Sequence, residues 1–191
     1  SVLTFYFSVF SFICIFALQT ISMMGITLKY CRRATHEVCF AGVKVGGDNP
    51  ISVQSMTNTA TADVEASVAQ IERIADAGAP IVRLTAQGIK EGEAFAQIMP
   101  ALRSEGYQTA IVADIHFVPE IASIAADYVD KVRINPGNYR TEGGELEALI
   151  EKCRTRGVAL RIGVNHGSLA RDMVDKYGDT PQGMVASARL F

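Results

Sequence analysis

Two short stretches carry the groups best suited to chemistry. Ala110-Ile111-Val112-Ala113-Asp114-Ile115-His116-Phe117 begins as an apolar run and ends in a carboxylate and an imidazole. Asp130-Lys131-Val132-Arg133-Ile134-Asn135-Pro136-Gly137-Asn138 ends in a guanidinium, amides and a Pro-Gly turn. A buried strand that stops in polar groups is how a parallel α/β protein presents an active site. Asp114 and His116 are two residues apart and so share a strand face. Asp114 can orient an Arg or Lys131, or act as an acid or base. His116 can donate to a phosphate or shuttle a proton. These two are the candidate catalytic residues.

An Arg recurs inside apolar runs: Ile81-Val82-Arg83-Leu84-Thr85, Lys131-Val132-Arg133-Ile134-Asn135 and Leu160-Arg161-Ile162-Gly163-Val164-Asn165. Strand period 2 puts Arg83 with Thr85, Arg133 with Asn135, and Arg161 with Gly163 and Asn165, each set on one face. A single such Arg reads most simply as a structural ion pair or a surface residue. The recurrence at matching positions points instead to guanidiniums converging at the mouth of a barrel. Buried charges need partners, and Asp114 is expected to satisfy one Arg but not three. A ligand with several negative charges is the complement, and guanidinium forks match phosphate oxygens bidentately. Diphosphate is the economical choice. Asn135-Pro136-Gly137-Asn138 adds backbone N–H groups that can form an anion nest. Gln54, Ser55, Thr57 and Asn58 add hydrogen-bond capacity, and His166 reads as a loop histidine.

The elements that must position these groups alternate. His36 to Phe40 and Val43 to Val45 flank Ala41-Gly42 as a hairpin, which in a barrel would plug the bottom. Strands follow at Ile51 to Met56, Pro80 to Thr85, Thr109 to Asp114, Tyr128 to Ile134 and Val158 to Val164. Between them lie a helix with Thr61 as N-cap that ends at Gly78, one from Glu91 to Ser104 that Pro100 should kink or shorten, a short one from Pro119 to about Ala126, and one from Glu142 to Arg156. Further helices start after Gly167-Ser168 and near Pro181. This is the βα rhythm of a parallel sheet, about five units at roughly 25-residue spacing. A doubly wound sheet would be complete with five strands, whereas a (β/α)₈ barrel would be represented by its N-terminal portion. No G-x-G-x-x-G follows the first strand, and polar groups end every strand, so the barrel is preferred. The resulting division is an apolar leader at 1–29, a β-hairpin at 30–50 and an incomplete barrel at 51–191.

The 191 residues are 49% apolar and carry a formal charge of −2, so nothing general favours nucleic acid. Cys14, Cys31, Cys39 and Cys153 have no C-x-x-C spacing, which predicts no metal site and reduced thiols in the cytoplasm. Val2 to Leu18 is almost wholly apolar. It reads as a start assigned too far upstream, with Met23 or Met24 as the true one, or else as a membrane segment.

From about Arg32 onward the blocks Pro50 to Thr59, Ile81-Val82-Arg83, Val112 to Phe117, Asp130 to Asn138, and Arg161 to Asn165 with Gly167-Ser168-Leu169 resemble the N-terminal barrel of the 4-hydroxy-3-methylbut-2-en-1-yl diphosphate synthases. Thr85 to Glu91 resembles the long form of that family, which has an extra middle domain. The resemblance implies reductive ring opening and dehydration of 2-C-methyl-D-erythritol 2,4-cyclodiphosphate in the non-mevalonate isoprenoid pathway. Two electrons would come from ferredoxin or flavodoxin through a [4Fe–4S] cluster. It places the diphosphate on Arg83, Arg133, Arg161 and Asn165, and implies a homodimer for the full-length protein. The family's cluster ligands lie in a C-terminal iron-sulfur domain outside these residues. The stretch by itself is therefore expected to be inactive as a reductase. A non-redox anion-binding or pterin-binding barrel is the alternative reading.

Overall fold

The computed structural model describes residues 33–116, 118–135, 144–165, 169 and 171–189. The expectations for the 1–29 leader, for Pro136-Gly137-Asn138 and for His166, Gly167 and Ser168 fall outside them. Among the described residues no helix is long and apolar enough to cross a membrane. The described strands and helices belong to one unit, Thr35–Phe191.

The hairpin forms as β1 (Val38–Phe40) and β2 (Val43–Val45), antiparallel, with Phe40 opposite Val43. Ala41 and Gly42 both have positive φ, 46° and 76°. That is the geometry of a two-residue turn whose twist matches the flanking strands.

Five parallel strands follow: β3 (Gln54–Met56), β4 (Ile81–Ala86), β5 (Ala110–Ile115), β6 (Lys131–Ile134) and β7 (Ala159–Ile162). Each pairs with the next in sequence, in the order β3-β4-β5-β6-β7. A doubly wound sheet reverses its order at a switch point. Uninterrupted sequential order is the winding of a barrel, here five consecutive staves of one. The crossovers are α1 (Val64–Asp76), α2 (Ile89–Ser104), α3 (Pro119–Ala125) and α4 (Glu145–Arg156); α5 (Arg171–Tyr177) and α6 (Pro181–Arg189) come after β7.

The strand period assigns the faces. Val82, Leu84, Ile111, Ala113, Val132 and Ile134 point outward into the main core with Phe95, Ile98 and Leu102 of α2 and Ile121 of α3. Ile81, Ala110 and Val112 point inward and pack on Phe40, with Val43, Val45 and Ala159 against them. The hairpin does close the N-terminal end of the inner face. All six residues of β5 are buried, because it has helices on one side and the plug below on the other.

Three local expectations are corrected. β3, β6 and β7 are shorter than expected, β3 most of all, since Ile51 and Val53 stay exposed, while β4 and β5 keep their expected length, shifted by one residue. Pro100 does not shorten its helix, which runs from Ile89 to Ser104. A mid-helix proline costs about 3 kcal/mol, but Phe95, Ile98, Met99 and Leu102 are buried on the same helix at about 1.5–3 kcal/mol each. The N-cap of α1 is Asp63, whose carboxylate accepts from Ala66 N at 3.1 Å. Thr61 instead donates its hydroxyl to Thr85 O at 2.6 Å, tying the loop to the end of β4.

A polar clamp fixes the N-terminal rim. Asp130 accepts from Arg103 at 3.0 Å and from Ile111 N at 2.8 Å, while Arg103 also donates to Tyr107 O and Thr109 O. Asp130→Ala leaves the Ile111 N–H without its acceptor and takes from Arg103 its carboxylate partner. Urea denaturation is expected to show a loss of about 1–3 kcal/mol. Arg154→Ala, which breaks only the exposed pair with Glu151, is expected to stay within about 0.5 kcal/mol. Equal effects would refute this ranking.

Candidate functional site

Above the apolar floor, the inward positions become charged. The register aligns Met56, Arg83, Val112, Lys131 and Ala159 across the sheet. One step toward the C-terminal ends it aligns Thr85, Asp114, Arg133 and Arg161. His116 follows β5, Asn135 follows β6, and Gly163 and Asn165 follow β7. The alternation of the three Arg strands has therefore brought their side chains to one face, at the end where barrel proteins carry their sites.

Asp114 is the hub, at 1% exposure. Its Oδ1 accepts from Arg133 Nη1 at 2.8 Å. Its Oδ2 lies 3.2 Å from Arg83 Nη2 and 3.4 Å from His116 Nε2. Arg83 starts one row lower and reaches up to it, leaving its buried Nε without a hydrogen-bond partner. Arg133 also donates Nη2 to Gly163 O at 3.3 Å. Asp114 is expected to satisfy one Arg but not three; it serves two, because the diagonal reach of Arg83 and the lateral reach of Arg133 approach different oxygens.

Arg161 sits in the same row as Arg133 and is exposed. Among the described residues no carboxylate lies within ion-pair distance of Arg161 or Lys131. Lys131 Nζ lies 4.4 Å from the centroid of the Phe40 ring. Burial, and then the Arg161 guanidinium, hold its pKa below the usual lysine range. Asn135 is buried and Asn165 exposed at the ends of their strands. The capacity attributed to Asn58 is spent locally, since Gln70 of α1 exchanges hydrogen bonds with its backbone and side chain. Cys39 is exposed on the hairpin and Cys153 buried in α4.

Sequence reasoning missed two contributors. Spacing offers Lys131 only as a possible partner of Asp114; its ring contact depends on the hairpin folding under the sheet. Spacing puts Gly163 on the Arg161 face and says nothing of its closeness to Arg133. A glycine inside an apolar strand is the available signal, since it often marks a close approach.

A half-buried ammonium without a carboxylate costs stability. Its folded pKa is below the unfolded value, so the cost is present at neutral pH and disappears as pH rises through the folded pKa toward 10.5. Lys131→Met is accordingly expected to raise the melting temperature at pH 7, with the gain shrinking in alkali. A lower melting temperature at pH 7, or a gain independent of pH, would contradict this.

The chain matches the GcpE TIM-barrel domain over residues 35–191. It is 48% identical over 184 residues to a Bacteroides fragilis protein named 4-hydroxy-3-methylbut-2-en-1-yl diphosphate synthase (flavodoxin), covering 85% of this chain and 29% of that one. A Protochlamydia amoebophila protein of the same name is 45% identical over 191 residues, with the same coverage of each. The chain thus spans less than a third of the length of these relatives. Among solved structures, Xanthomonas albilineans dihydropteroate synthase is similar with a TM-score of 0.48 and 17% identity, over 78% of this chain and 58% of that one, a likeness too slight to bear on function. The match across residues 35–191, on a sheet wound as a barrel, means that this chain belongs to the GcpE TIM-barrel domain family.

Proposed function

We propose that this barrel holds the substrate of a 4-hydroxy-3-methylbut-2-en-1-yl diphosphate synthase. In that reaction the ring of 2-C-methyl-D-erythritol 2,4-cyclodiphosphate opens and a hydroxyl leaves as water, with uptake of two electrons and two protons. The observation that carries the reading is the charge balance of the inner face. Arg83, Arg133, Arg161 and Lys131 are four cations, and Asp114 is the carboxylate among them. The surplus suits a cyclic diphosphate, whose phosphates are anionic, and guanidiniums suit its oxygens. The names of the relatives support the choice of reaction and of flavodoxin as electron donor.

Within this reading Arg83, Arg133 and Arg161 hold the diphosphate, and Asn135 and Asn165 hydrogen-bond it. Asp114 is a positioning residue. Both its oxygens are engaged and it is shut off from solvent, so its work is to aim two guanidiniums. His116 is one-third exposed, beside Asp114, and is the group placed to handle a proton at the mouth.

The redox step belongs to a [4Fe–4S] cluster in the family. Among the described residues no group of three or more His, Cys, Asp or Glu is placed to hold a metal, and Cys39 and Cys153 lie on the hairpin and in α4. These residues do not fit a cluster, and the reading assigns it to an iron-sulfur domain outside them, in a cytoplasmic homodimer.

Arg133→Ala in the full-length protein is expected to weaken binding of the cyclic diphosphate by about 10- to 100-fold. Unchanged affinity by calorimetry would sink the anion-cradle reading. Thermal protection by a pterin but not by the diphosphate would favour a pterin-binding barrel instead. His116→Gln is expected to keep affinity within about 3-fold while lowering turnover by about 100-fold or more. A variant that loses affinity and keeps turnover would reassign His116 to binding.

A further inference from the structure

We infer that Gly163 is a positioning residue for Arg133, and through it for the anion that Arg133 is proposed to hold. The inference rests on that proposed role. The Arg133 guanidinium lies across the backbone of Gly163 and donates Nη2 to its carbonyl at 3.3 Å. A β-carbon built on Gly163 would lie 2.7 Å from both Cζ and Nη2 of Arg133, and nearer still to Nε. No side chain fits there unless the guanidinium moves away.

The restriction is one of space and not of backbone conformation. Gly163 is not among the described glycines with positive φ, so alanine can adopt its backbone without strain. This separates it from the turn glycines Gly42 and Gly106, whose φ values are 76° and 86° and whose added β-carbon would meet nothing within 4 Å.

The guanidinium it receives has one lateral position. Nη1 must reach Asp114 Oδ1 on β5, at 2.8 Å, while Nη2 faces β7. The side chain therefore lies across β6 with a neighbour on each side. Gly163 is the side that yields room, and Asp114 is the side that attracts. Any β-carbon at 163 would push the guanidinium off the Gly163 carbonyl and disturb its bond to Asp114. Asp114 would then keep Arg83 and His116 but lose its shortest contact.

The test is a double-mutant cycle on the full natural protein: wild type, Gly163→Ala, Arg133→Ala and the double variant. Affinity for inorganic diphosphate is measured by calorimetry, and melting temperature is measured without ligand. Gly163→Ala is expected to weaken diphosphate binding by about 10- to 100-fold and to lower the melting temperature. In the Arg133→Ala background the same substitution is expected to change affinity by less than about 2-fold and to leave the melting temperature where it was. Wild-type affinity in Gly163→Ala, or equal losses in both backgrounds, would overturn the inference. If Arg133→Ala itself binds diphosphate like the wild type, the anion-site reading fails. The melting temperatures then decide alone, and equal drops with and without Arg133 would still overturn the role of Gly163.

Discussion

Taking a carboxylate out of water costs several kcal/mol unless it is paired and hydrogen-bonded. Asp114, 1% exposed, meets that requirement through Arg83, Arg133 and the nearby His116. The dependence runs both ways. Two guanidiniums on one inner face would repel each other without an anion between them, and Asp114 is that anion when no ligand is bound. Removing one partner from such a group typically costs about 3–5 kcal/mol. The same contact that stabilises the sheet end therefore also sets the positions of the arginines.

The pair can form because the inner face is divided along its length. Its lower part is apolar and sealed by the hairpin through Phe40, Val43 and Val45. Its upper part carries the charges. Lys131 lies at the boundary, with its ammonium over the Phe40 ring, so the plug touches both the core and the charged region. At the same N-terminal end as the plug, the Asp130 and Arg103 clamp holds the rim by bonds to backbone groups. The division matches the general pattern of parallel barrels, with stability built at the N-terminal ends and chemistry at the C-terminal ends.

Close packing sets the limits of this arrangement. Gly92 on α2 sits 3.1 Å from Ile121, measured from where a β-carbon would be, and Gly163 leaves room for Arg133 in the same way. The first contact fixes a helix against a helix and the second fixes a guanidinium against a strand. Both use the missing side chain as space, since a packed interior absorbs an added methyl group poorly.

Strand period and apolar spacing sufficed to place the βα units, the hairpin and the arginine faces, because those depend on local alternation along the chain. That Asp114 and His116 share a face was legible for the same reason, since positions two apart on a strand point the same way. Strand order, which separates a barrel from a doubly wound sheet, was argued from the missing glycine motif and settled only by pairing. How many arginines Asp114 serves, the spending of Asn58 on Gln70, the survival of the helix through Pro100 and the crossing of Arg133 over Gly163 were decided by tertiary structure. Each depends on the distance between groups on different elements, and spacing along one element does not contain that distance.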